Sequence, residues 1–136
     1  MDWFRKRSAS SKKDPLRDEI EQTIRVYLEA VRYLSLCGPF NETKFDQVDR
    51  ILSRAPKGAL DPAKKAQIKE SVRYILPEGG LGPWDQVGVM MYRSLMEAVT
   101  MFMDLLWKLR PDDRTKEFTR WARDDLVEIK GLMEAK

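Results

Sequence analysis

Histidine is absent from all 136 residues. That removes imidazole acid–base catalysis, Ser-His-Asp and Cys-His arrangements, and most zinc sites. There is one cysteine, Cys37, so no intrachain disulfide can form. Flanked by Leu36 and Gly38, it reads as a small core residue rather than a reactive thiol. No N-terminal apolar run has signal-peptide length. Residue 2 is aspartate, not the glycine that N-myristoylation needs, and no C-terminal prenylation box is present. The EF-hand loop pattern is missing. The Gly-rich run from Pro77 to Pro83 follows no strand and lacks a G-x-x-x-x-G-K-[ST] pattern, so it reads as a connector and not a phosphate cradle. Asp112-Asp113 and Asp124-Asp125 are adjacent pairs, and neighbours in sequence do not face each other on a helix. They make poor metal clamps. The expectation is a protein that is not an enzyme, with no catalytic residue, metal ligand or cofactor to assign. The expected location is intracellular and cytoplasmic, with peripheral membrane association allowed.

What is present is helical periodicity. The 83–109 stretch holds five of the seven methionines and two of the four tryptophans. Pro83 suits a first helical turn and Pro111 stops the helix. At 100° per residue, Arg93, Glu97, Thr100, Asp104 and Lys108 fall on one narrow stripe, and nearly everything else around the cylinder is apolar. The pattern predicts a central, nearly buried bundle helix. A membrane span is excluded by arithmetic. Four charges cost roughly 2.5–3.5 kcal/mol each near a bilayer centre, more than about fifteen apolar residues at roughly 0.3–0.6 return.

Four more helices follow from spacing and caps. Asp14-Pro15 opens the first, whose inner face is Leu16, Ile20, Ile24, Tyr27, Leu28, Val31 and Leu34. Gly38-Pro39 ends it. Asn41 or Thr43 caps a second, with Phe45, Val48, Ile51, Leu52 and Ala55 inward. Asp61-Pro62 opens a third, with Ala63, Ala66, Val72, Ile75 and Leu76 inward. Asp113 or Thr115 caps the last, which turns Phe118, Trp121, Ala122, Asp125/Leu126, Ile129, Leu132 and Met133 toward the core, with one polar interruption. No strand or internal repeat is evident. The fold expectation is all-α: about five helices in one domain over residues 14–136, behind a flexible arm of residues 1–13.

Charge divides unevenly. Residues 1–13 carry a net +4, residues 14–53 carry −3, residues 54–73 carry +4, residues 74–109 carry −2, and the rest balance. The arm places Trp3 and Phe4 before Arg5, Lys6 and Arg7, then a serine spacer, then Lys12 and Lys13. Rings at headgroup depth beside cations suit an anionic membrane surface. Phosphates of nucleic acid would attract the same cations. Ser8 and Ser10 follow basic residues and are candidate phosphosites, where a phosphate would subtract positive charge. The second basic block comprises Arg54, Lys57, Lys64, Lys65, Lys69 and Arg73. Trp84, Met90, Met91, Met101, Met103 and Trp107 are candidate interface residues, since methionine fills cores and also serves adaptable binding surfaces. If its own domain leaves one flank of their helix uncovered, that flank becomes a partner groove or a dimer seam.

An aromatic-basic N-terminus, Trp3 to Arg7, ahead of a five-helix body resembles small viral matrix and accessory proteins that work at membranes. Retroviral matrix domains typically begin with a myristoylated glycine, which Asp2 replaces here, and no residue role carries over. The functional expectation is an interaction protein, recruited to an anionic membrane and acting through protein binding or self-association. The alternatives are a nucleic-acid-associated helical protein and a structural subunit of an assembly.

Overall fold

The computed structural model describes residues 14–74 and 82–135. It contains five helices: α1 (Pro15–Leu36), α2 (Glu42–Leu52), α3 (Pro62–Val72), α4 (Pro83–Leu109) and α5 (Asp113–Glu134). The described residues form an all-helical bundle without strands. The arm and the 75–81 connector lie outside them, and so do Ile75 and Leu76.

Local chemistry sets the helix starts. Asp14 caps α1 by accepting from the Arg17 backbone N–H at 3.3 Å, and Pro15 occupies the first turn. Asn41 caps α2 by accepting from the Lys44 N–H at 2.9 Å. Asp61 caps α3 through the Ala63 N–H at 2.7 Å. The cap of α5 is Asp112, which accepts from the Thr115 N–H at 3.0 Å. It therefore falls one residue before the expected Asp113, because a β-region residue must precede the first helical one.

The helix at the centre is α1, not α4. Half of its length is buried, including Ile24, Ala30 and Val31 with no exposed surface. It packs on α2, α4 and α5 together. Contacts along its length fix the directions. Asp14 meets Arg110 at the end of α4, and Tyr27 meets Phe102 edge-on with ring centroids 5.6 Å apart. Just beyond the end of α1, Phe40 meets Trp84 at the start of α4. Helices α1 and α4 are thus antiparallel. Against α5, Arg114 pairs with Asp18 at 3.2 Å and Glu21 at 3.0 Å. Arg25 stacks over Phe118 and Trp121, and Arg32 pairs with Asp125 and with Glu128. Helices α1 and α5 are therefore parallel. Helices α2 and α3 fill the crossover between α1 and α4.

The apolar pattern explains this placement. Phe45, Val48, Ile51, Leu52 and Ala55 are all buried, as their spacing demands. Helix α3 differs from its expectation. Only Val72 is buried and Ile68 is half-buried, while Ala63 and Ala66 face solvent. Two alanines expose too little apolar area to pull a helix inward. Leu16, expected in the core, is exposed in the first turn of α1.

Candidate functional site: the uncovered flank of α4

Helix α4 has one covered face and one bare one. Val87, Gly88, Leu95, Val99, Met103 and Leu106 point inward and are buried. On the other side Met90 is 67% exposed, Met101 69% and Leu105 40%. A contiguous apolar surface left open on a helix is a candidate binding face. The expectation of a nearly buried helix is corrected here. Among the described residues there are too few elements to surround α4: α1 covers one side, α3 only its upper part, and α5 lies mainly against α1.

The bare side has a regular register. Met91, Ser94, Ala98, Met101, Leu105 and Lys108 recur at spacings of three and four, the repeat that lays a seam along a helix. Its upper part is partly sheltered. There a cavity of about 350 Å³ lies between α4 and Tyr27, Leu52, Leu60, Lys64 and Ile68. Burial pushes the Tyr27 hydroxyl above its ordinary pKa. The lower part, from Ala98 to Lys108, is open. A hollow of about 420 Å³ is lined there by Ala98, Met101, Phe102, Asp104, Leu105 and Lys108, all from α4 itself.

The candidate interface residues separate on this geometry. Met90 and Met101 lie along the bare flank, while Met91 is half-buried against the core at its sheltered upper end. Met103 does not: it lies about 200° around the helix from Met101 and is buried in the core. Trp84 turns toward the domain, with its ring centroid 5.6 Å from Phe45 and 6.3 Å from Phe40, and is half-buried. Trp107 is half-buried. Leu105 and Ala98 were not among the candidates. The four-three register was the signal that could have found them, but methionines all round the helix obscured it.

The second basic block is largely neutralised by its own neighbours. Lys65 reaches Asp49 at 2.8 Å and Asp46 at 3.3 Å, and Lys69 reaches Asp46 at 2.9 Å. Arg54 pairs with Glu29, and Arg73 approaches Glu70 at 3.7 Å. Hydrogen bonding from Lys69 holds the Asp46 carboxyl below the usual range, and the hydrogen bond to Asp49 pushes the Lys65 ammonium up. These contacts staple α3 to α2. Lys57 and Lys64 are exposed. Trp3, Phe4, Arg5, Lys6, Arg7, Lys12, Lys13, Ser8 and Ser10 lie outside the described residues.

A third cluster joins three helix ends. Arg110 grips Asp14 with two hydrogen bonds, Nε to Oδ2 at 2.8 Å and Nη2 to Oδ1 at 3.0 Å. Arg17, with its side chain only 8% exposed, bridges Asp14 and the α5 cap Asp112. The Arg110 hydrogen bond is the main reason that the Asp14 pKa falls from 3.8 to about 2. This corner fixes the cap residue of α1 against the residue that ends α4.

Among the described residues, no group of three or more acidic or cysteine side chains is placed to hold a metal ion. No helix among them is long and apolar enough to cross a membrane. Comparison of the chain with protein-family models, with curated proteins and with solved structures returns no match.

Proposed function

We propose that this chain is a non-enzymatic interaction protein that docks a protein partner on the bare flank of α4 and is recruited to an anionic membrane by residues 1–13. The exposure of Met101 and Leu105 in an open, apolar hollow carries the docking half of this reading. A pocket built from methionine, leucine and phenylalanine adapts its shape to an apolar side chain. The composition of the arm supports the membrane half: Trp3 and Phe4 stand beside three consecutive cations. Each basic residue near an acidic surface contributes about 1 kcal/mol, and two rings at headgroup depth add to that. Because Lys65, Lys69 and Arg54 are engaged by carboxylates, the arm is the principal anion-binding element in this reading, and the 54–73 block is secondary.

Liposome co-sedimentation tests the membrane half. Wild-type protein is expected to sediment with vesicles rich in phosphatidylserine, and Trp3→Ala/Phe4→Ala to remain in the supernatant. Wild-type protein that stays in the supernatant at physiological salt overturns it. Nucleic-acid binding separates from this reading by needing the cations without the rings, and by a steep fall in affinity with salt.

A further inference from the structure

The sheltered cavity at the upper end of α4 differs in kind from the open hollow below it. Its volume of about 350 Å³ falls within the usual range of ligand sites, about 300–1,000 Å³. Exposure sorts its lining from floor to mouth. Leu52, Val87 and Leu95 are buried, Tyr27 is half-buried, and Lys64 and Ser94 are exposed. Tyr27, Ser94 and Lys64 each carry a hydrogen-bond donor, and no carboxylate lines the cavity. Helix α3 accounts for the cation. Lys64 and Ile68 stand one turn apart and share the face that closes the cavity. Lys65 and Lys69 share the next face and are bound to Asp46 and Asp49, whereas Lys64 has no ion-pair partner among the described residues. The carboxylates of the surrounding segments are engaged elsewhere. Asp49 accepts from the Leu60 N–H at 3.0 Å and from Lys65, and Asp61 caps α3. Arg93 and Glu97, on the adjacent edge of α4, are of opposite sign and add no net charge. Burial alone raises the Tyr27 pKa, with no hydrogen bond contributing, so its hydroxyl is free to donate to a ligand.

We propose that the cavity binds a medium-chain fatty acid, with its alkyl chain on Leu52, Val87 and Leu95 and its carboxylate at Lys64, where Tyr27 and Ser94 supply hydroxyl donors. Lys64 is the only charged residue of the lining, so the site matches an amphiphile with one negative charge. At about 30 Å³ for each group of water's size, the cavity holds about ten to twelve non-hydrogen atoms, the size of octanoate or decanoate. Each buried methylene is worth about fourfold in affinity until the cavity is full. A longer chain leaves its surplus in water and gains nothing further. The site is separate from the open hollow around Met101 and does not depend on the membrane reading above.

The test titrates the full chain, labelled with ¹³C-methyl methionine, with decanoate below its micelle concentration. The methyl of Met91, which lines the cavity, is expected to shift and saturate, while Met101 in the open hollow and Met133 on α5 stay in place. From hexanoate to octanoate the affinity should rise about fifteenfold, and from decanoate to tetradecanoate it should level off. Lys64→Glu, a change at an exposed position, should weaken decanoate about tenfold and leave decanol unchanged. An unmoved Met91 methyl overturns the proposal. Equal shifts at Met101 and Met91 also overturn it, because they describe adsorption along the whole flank. Decanoate binding that Lys64→Glu leaves intact, or decanol that binds wild type as tightly as decanoate, refutes the carboxylate site and leaves a plain apolar cleft.

Discussion

Leu105 and Leu106 are adjacent on α4 and chemically identical, yet the structure assigns them opposite fates. Leu106 has no exposed surface, while Leu105 is 40% exposed on the bare flank. Truncating a buried leucine to alanine costs the lost transfer energy plus the cavity left behind, about 3–5 kcal/mol. Leu106 belongs to the apolar core, so that range applies to it. Leu105→Ala leaves no enclosed cavity and gains slightly from alanine's helix propensity. Its cost is about 1 kcal/mol or less. With an unfolding entropy near 2.1 cal/mol/K per residue, a chain of 136 residues loses roughly 10 °C in Tm for each 3 kcal/mol. Leu106→Ala should therefore melt at least 10 °C below wild type and Leu105→Ala within about 4 °C. Urea unfolding followed by circular dichroism at low protein concentration gives the same comparison as free energies. Equal losses would mean that the flank is covered in solution by a tightly packed surface, and the assignment of the bare face would be wrong.

Other perturbations follow from single contacts. Asp14 has its pKa lowered from 3.8 to about 2, so its stabilising contribution is complete above pH 3.8 and is lost as the pH falls toward 2. In Asp14→Asn the cap survives but the charge is gone. Melting curves should show a less stable variant at neutral pH and a gap to wild type that closes across that acid window, whereas a constant gap would rule out the Arg110 contact as the cause. Gly88 packs under Phe40, and an added Cβ would lie 3.0 Å from the Phe40 Cβ and Cγ. Gly88→Ala should cost about 1–3 kcal/mol in thermal unfolding. At Gly131, on the open side of α5, a Cβ meets nothing within 4 Å. Gly131→Ala should stabilise by roughly 0.5–1 kcal/mol, and loss of stability there would contradict the exposed placement of α5.

Much of the architecture was legible in the chain itself because its causes are local. Asp14-Pro15 and Asp61-Pro62 act within one helical turn, so each cap declared a helix start wherever the helix later packed. The face of α2, Phe45 to Ala55, was readable because its outward positions are uniformly polar, which leaves one way to bury it. The absence of histidine and the single cysteine narrowed the chemistry in the same direct way.

Tertiary structure decided what periodicity left degenerate. A helix that is apolar nearly all round, as α4 is, has no sequence-encoded inside. Only the position of α1, with Tyr27 against Phe102 and Asp14 against Arg110, turned Met103 inward and left Met101 and Leu105 out. The pairing of Lys65 and Lys69 with Asp46 and Asp49 joins α3 to α2 across a turn. A charge count along the chain cannot show which cations are already neutralised. Net charge and helix spacing are properties of residues in order. A bare flank and a satisfied lysine are properties of which helices meet, and the limited number of helices among the described residues, too few to surround α4, made one long apolar helix a surface as well as a core.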